Sequence, residues 1–131
     1  MRFGYTIVYV PDVPAALDFY RRAFDLPAGF LHGSGQYGQL DTGATTLAFT
    51  AHTLGERVVP GGYTPLDPAA PPAGFELTFV VEQVDEAFDT AVAAGATPLS
   101  EPHDEPWGQR VCYVRDPFGT LVGIASPVAG S

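Results

Sequence analysis

The feature that most constrains this chain is that it says nearly the same thing twice. The first half opens on Tyr5-Thr6-Ile7-Val8-Tyr9-Val10 and the second on Glu76-Leu77-Thr78-Phe79-Val80-Val81. Period-two alternation of this kind predicts a strand with two different faces. Thr6, Val8 and Val10 share one face of the first run, and Leu77, Phe79 and Val81 share the matching face of the second. A helix pattern follows each run. Val13, Ala16, Leu17, Tyr20 and Phe24 recur at helical spacing, with Asp12 as N-cap and Pro14 in the first turn. Val84, Ala87, Phe88, Ala91 and Val92 recur in the same way, and Gly95 stops that helix. The first helix is expected to end near Asp25, because Pro27 cannot continue it.

Three short strands are predicted after each helix. They fall near Gly29–Leu31, Tyr37–Leu40 and Thr45–Thr50, then near Thr97–Glu101, Gln109–Val114 and Leu121–Ala125. Asp41-Thr42-Gly43 and Asp116-Pro117-Phe118-Gly119 are matching turns before the last strand of each set, and Gly33-Ser34-Gly35 is a hairpin turn. The fold class is therefore α+β, with two βαβββ repeats forming a concave mixed sheet. The 131 residues are read as a single domain: repeat 1 over about 1–52, a Pro/Gly-rich linker over about 53–74, and repeat 2 over about 75–128. The linker shows no periodicity, and its default reading is a plain connection rather than a lid. If the helices cover the Val8 and Phe79 faces, then Tyr5, Ile7 and Tyr9 face the cleft from one half, and Glu76, Thr78 and Val80 from the other. Phe3, Phe19, Phe24, Phe79 and Phe88 read as core.

Composition narrows the function. Fifteen acidic residues face six arginines, and the net charge is −9. That argues against nucleic acid or an anionic membrane as partner and is compatible with a cationic ligand. No apolar run reaches the length of a membrane span, and the N-terminus lacks signal-peptide architecture, so the expected location is cytoplasmic. The single cysteine, Cys112, lies in an apolar strand pattern and reads as a buried structural thiol rather than a nucleophile. There is no lysine for a Schiff base, no phosphate-cradling loop and no nucleophile elbow.

The segments YTIVYVPDVPAALDFYRRAF, FELTFVVEQVDEAFDTAVAAGA and PWGQRVCYVRDPFGTLVGI carry a resemblance to the vicinal oxygen chelate superfamily, and the last is the most distinctive. That superfamily includes glyoxalase I, fosfomycin-resistance enzymes, extradiol dioxygenases and bleomycin-resistance proteins. The resemblance implies a glyoxalase/bleomycin-resistance-like fold and a homodimer. Its metal-dependent members place a His or Gln on the first strand of one unit, a His on the first strand of the other, and a carboxylate on each last strand. Those four positions fall here on Tyr5, Glu76, Ala48 and Gly123. Glu76 is the one plausible ligand of the four, and one carboxylate does not make a tight transition-metal site, so no cofactor and no divalent metal is expected. His32, His52 and His103 lie in or beside loops and match none of the four positions.

What remains is a cleft with aromatic and acidic character. The ligand-binding candidates are Tyr5, Ile7, Tyr9, Tyr37, Ala48, Thr50, Glu76, Thr78, Trp107 and Gln109. Aromatic rings give large, stiff contact area for planar or cationic ligands, although some of these rings could equally fill core or interface. Glu76 is either a ligand's hydrogen-bond acceptor, cation partner or general base, or the ion-pair partner of Arg110 or Arg115. Three readings stay open. One is a protein that sequesters a small aromatic or cationic molecule such as an antibiotic. Another is a divergent lyase, isomerase, hydrolase or dioxygenase using Glu76 or a non-standard metal site. The third is a domain whose cleft face is only an interface.

Overall fold

In the computed structural model, which describes residues 1–128, the first alternating run forms β1 (Tyr5–Val10). It leads into α1 (Val13–Phe24), then β2 (Ala28–Leu31), β3 (Tyr37–Leu40) and β4 (Thr46–Ala51). The sheet order is β1-β4-β3-β2, with β1 parallel to β4 and the other pairs antiparallel. The Asp12 side chain accepts from the Ala15 N–H at 3.1 Å, which satisfies one of the four unpaired amides of the α1 N-terminus. The helix ends at Asp25, whose φ of 52° places it in the left-handed region two residues before Pro27. The stop is thus set by the backbone of Asp25, ahead of the proline.

The buried stripe of α1 (Val13, Ala16, Leu17, Phe19, Tyr20, Ala23) lies against the sheet face that carries Phe49. The Tyr20 and Phe49 rings are 5.2 Å apart, and Phe19 meets Tyr20 edge-on at 5.1 Å. Both Tyr20 and Phe49 are fully buried. Truncating a ring packed in this way costs about 3–5 kcal/mol. Phe19 is core, Phe24, Phe79 and Phe88 are half-buried, but Phe3 is 71% exposed. It precedes β1 and has no sheet partner to carry it under the helix, which corrects its reading as core.

The second half repeats the plan. β5 (Leu77–Val80) precedes α3 (Val84–Ala93), and β6 (Thr97–Asp104), β7 (Arg110–Arg115) and β8 (Leu121–Ala125) follow. The order is β5-β8-β7-β6, with β5 parallel to β8. Val84 and Ala91 of α3, Cys112 and Val114 of β7, and Val122 and Ile124 of β8 form the buried layer. By alternation Val111, Tyr113, Gly123 and Ala125 take the opposite face with Thr78. β6 runs to Asp104 because register shifts between Pro98 and Ser100, and again between Ser100 and His103, let it continue past Glu101.

Two compact units result, Met1–Leu66 and Asp67 onward. The connecting stretch differs from its reading as structureless: α2 (His52–Val58) grows directly from the end of β4. Seven residues give too few repeats for a periodicity to show, and they sit beside the prolines and glycines that dominate the stretch. Further on, Arg115 at the end of β7 holds the start of the second unit. Its Nε donates to the Gly119 carbonyl at 3.0 Å, its Nη2 to Asp67 O at 2.9 Å, and its Nη1 to the carbonyls of Pro68 and Ala70. A planar cation with five donors suits carbonyls that have no strand to pair with. Replacing Arg115 by Ala is expected to lower unfolding free energy by about 1–3 kcal/mol in urea titration. It should also make the Asp67–Pro72 stretch the first site of limited proteolysis; unchanged stability and cleavage would contradict this role.

Candidate ligand-binding site

In the second unit the sheet face opposite α3 is where polar chemistry collects. Glu76 stands one residue before β5, exposed, and the Thr78 hydroxyl donates to its Oε2 at 2.7 Å. Thr78 pairs with Gly123, and Gly123 pairs with Tyr113, so the four residues share one patch. Gly123 matters for what it lacks. A Cβ there would stand 2.5 Å from Glu76 Oε2 and 3.1 Å from Thr78 Oγ1. The Glu76 carboxylate therefore occupies space that any side chain at residue 123 would need.

Around this carboxylate lies a shallow concavity of about 430 Å³, counting space open to solvent, whose walls include Glu76, Glu105, Trp107, Gln109 and Tyr113. Trp107 is 60% exposed, yet it is held: its indole N–H donates to Gln109 Oε1 at 2.8 Å, and Gln109 Nε2 donates to the Ser126 carbonyl at 3.0 Å. An exposed indole fixed through its polar edge presents its apolar faces. The two carboxylates make the concavity electronegative. Burial, then Glu76, then Glu105, push the Tyr113 phenol above its ordinary range. Glu105 has a partner in His103, whose Nε2 is 2.8 Å from Glu105 Oε1. His103 belongs to β6 rather than to a loop.

Neither arginine offered as a partner for Glu76 reaches it. Arg110 forms a two-pronged pair with Asp85, Nε to Oδ1 at 2.7 Å and Nη2 to Oδ2 at 3.1 Å, and its Nη1 meets Asp104 at 3.1 Å. The hydrogen bond from Arg110 draws the Asp85 carboxyl below its usual value. Arg115 is taken up by backbone carbonyls. The ion-pair reading of Glu76 is corrected on this ground: both guanidiniums have better-placed acceptors, and a threonine hydroxyl is the partner found.

In the first unit Tyr5, Ile7 and Tyr9 alternate away from the buried face of β1. Ile7 pairs with Ala48, Tyr9 with Thr50, and Thr50 with Tyr37. The sequence candidates of this unit are thus brought onto one sheet face. Gln39 joins them unforeseen, pairing with Ala48 and donating to the Tyr37 hydroxyl oxygen at 2.8 Å. Tyr9 stacks on Tyr63 at 4.4 Å, and the Tyr63 hydroxyl lies 2.7 Å from His52 Nδ1. His52 opens α2 instead of lying in a loop. A side chain at residue 55 would run into both tyrosines, so the glycine lets α2 approach the Tyr9 ring. Burial, then Glu56 and Tyr9, raise the Tyr63 phenol's pKa.

The resemblance implies a metal in some relatives, and the residues present do not fit one. Of the four ligand positions Glu76 alone is a donor carboxylate, and its Oε2 is engaged by Thr78 above Gly123. Among the described residues no group of three or more His, Cys, Asp or Glu side chains is placed to hold a metal ion. The Cys112 thiol is fully buried, and desolvation raises its pKa to about 11.

Three outcomes follow. Iodoacetamide at about pH 8 should leave native Cys112 unmodified and label it in denaturant, because the thiolate is the reactive form. Because the folded pKa is raised, native protein keeps this proton longer than unfolded chain. Its contribution to stability should therefore be lost as pH rises above about 8.5. Labelling of the native protein would contradict the burial. Gly123→Ala should change stability by less than about 1 kcal/mol, because the exposed Glu76 side chain can swing away. It should break the Glu76–Thr78 hydrogen bond, which a crystal structure of the variant would reveal.

A family model described as the Glyoxalase/Bleomycin resistance protein/Dioxygenase superfamily matches residues 2–124. An uncharacterized protein of Mycobacterium bovis is 35% identical over 124 residues, 91% of this chain and 79% of that protein. The crystal structure of a glyoxalase-related enzyme from Fulvimarina pelagi superposes with TM-score 0.79 at 23% identity, covering 97% of this chain and 88% of that one. A lactoylglutathione lyase from Agrobacterium tumefaciens superposes with TM-score 0.68 at 23% identity, over 95% and 92% of the two chains. At these identities the two structures establish the fold.

Proposed function

The chain belongs to the Glyoxalase/Bleomycin resistance protein/Dioxygenase superfamily, and from that premise we propose that it binds a small aromatic cation without transforming it. The observation that carries this reading is the pairing of a fixed carboxylate with a fixed, exposed indole in one concavity. Glu76 is held by Thr78 over the side-chain-free Gly123, and Trp107 is held by Gln109. A planar cation placed there meets charge on one side and a π-face on another. Glu105 and Tyr113 extend the same wall. The net charge of −9 favours the approach of cations over anions. Sequestering an antibiotic is one use of such a site.

On this reading no metal takes part, because the donor set offers a single carboxylate at the family's ligand positions. Self-pairing belongs to the proposal as well. β2 and β6 end their sheets, and an open edge invites a second copy. No helix among the described residues is long and apolar enough to cross a membrane.

A second reading rests on the same carboxylate. A Glu76 oriented by Thr78 could serve as general base for a lyase or isomerase step.

Titration with N-methylquinolinium, followed by calorimetry, tests the binding reading. Saturable binding is expected, with affinity reduced about tenfold by Trp107→Ala and about fivefold by Glu76→Gln. The ligand should be recovered unchanged by mass spectrometry. Stoichiometric metal in the purified protein, or affinity indifferent to both substitutions, would sink the proposal. Turnover of a bound compound that Glu76→Gln abolishes would establish the second reading instead.

A further inference from the structure

The binding reading gives Glu105 no task of its own, and its partner does not behave like an ordinary surface histidine. His103 has an acceptor at both ring nitrogens. Nδ1 is 2.8 Å from the Glu101 carbonyl oxygen, and Nε2 is 2.8 Å from Glu105 Oε1. A carbonyl can only accept, and so can an ionised carboxylate, so both contacts are hydrogen bonds only when both nitrogens carry protons. The Ser100 hydroxyl, 3.3 Å from Nδ1, is a nearby group that could either donate or accept. The arrangement selects the imidazolium.

We infer that His103 masks Glu105 while protonated, and that its deprotonation releases Glu105 as a second carboxylate for a cationic ligand in the same concavity. The inference rests on the proposed binding function and adds to it a second charged contact and a control on it. Glu105 lines the concavity together with Glu76 and Trp107. When His103 loses a proton, its positive charge disappears whichever ring nitrogen keeps a hydrogen. The Glu105 carboxylate then has no cation beside it and presents its full negative charge to the concavity.

The charged surroundings agree in direction. The Glu101 carbonyl and Glu105 hold the His103 pKa above its ordinary value, while burial and Arg110 of β7 pull it down. Arg110 is itself engaged by Asp85 of α3 and Asp104 of β6. Cys112 and Tyr113, the other titratable groups of β7 beside the concavity, both have raised pKa values and remain neutral across the range in which a histidine titrates. The sign is therefore fixed. With its pKa raised, His103 stays protonated past the usual value near about 6.5, so masking is complete below it and is lost as pH rises through the raised value.

The test is the affinity of the full chain for N-methylquinolinium, whose charge does not titrate, between about pH 5.5 and 8.5, a range that brackets histidine. Quinoline serves as the uncharged control in the upper part of that range. Cation affinity of the native protein should rise roughly threefold to fivefold with pH, the size of an exposed charge pair. Glu105→Gln should hold affinity at the low-pH level throughout, and His103→Asn at the high-pH level. Glu76→Gln should weaken binding at every pH and keep the rise. NMR of the His103 ring, with no ligand present, should show its pKa falling in Glu105→Gln. A pH-independent affinity in the native protein, with Trp107→Ala still weakening binding, overturns the inference and leaves the binding site standing. Absence of binding at every pH overturns the site and the inference together. An unmoved His103 pKa in Glu105→Gln overturns the masking pair by itself.

Discussion

The four-stranded sheet of the second unit has two faces and one helix to cover them, and the period-two alternation of its strands decides which side chains are left over. In the second unit Val122, Ile124, Cys112 and Val114 go under α3. Thr78, Val111, Tyr113 and Gly123 cannot join them, because successive side chains on a strand point to opposite faces. Burial of one face thus places chemistry on the other without any further device. The single residue with no side chain, Gly123, then fixes how that chemistry is arranged. It leaves the space into which Glu76 extends from beside the neighbouring strand, and the Thr78 hydroxyl holds the carboxylate there.

In the pattern that the resemblance implies, the last strand of each unit carries a carboxylate. Here the last strand of the second unit carries glycine, and the carboxylate comes from the residue just before β5. A lone carboxylate with a hydroxyl donor suits an organic cation better than a transition metal, which needs several strong donors converging on one point. The indole of Trp107, tethered by Gln109 and through it to Ser126, supplies the apolar wall. Loop residues gain precision in this way, by hydrogen bonds to a neighbouring strand end rather than by burial.

Much of this was legible in the sequence, and the parts that were not share physical causes. The alternation in Tyr5–Val10 and Glu76–Val81 sufficed to predict which face each residue takes, because register in a half-buried strand is fixed by the burial of one face. Thr78 could be placed beside Glu76 for the same reason. Glu105 and His103 were missed because two register shifts in β6 carry that strand farther than its pattern suggests, whereas the alternation of β7 already places Tyr113 on the face of Thr78 and Gly123. Tyr63 and α2 were missed because seven helical residues amid prolines leave no periodicity to read. The ion-pair alternative for Glu76 stayed open in the sequence because charge complementarity does not show that Asp85, Asp104 and the carbonyls of Asp67, Pro68 and Ala70 already satisfy the two arginines. Phe3 was misjudged because hydrophobicity alone does not carry a residue into a core it does not reach.

On the proposed reading Glu76 and Trp107 form one ligand site in the second unit. Isotope-edited NMR of the labelled full chain saturated with N-methylquinolinium reads this directly. Contacts between the N-methyl protons and the Trp107 ring are expected, with the largest shift changes at Glu76, Thr78 and the Trp107 indole N–H. Saturable binding that leaves those three signals unmoved would contradict it.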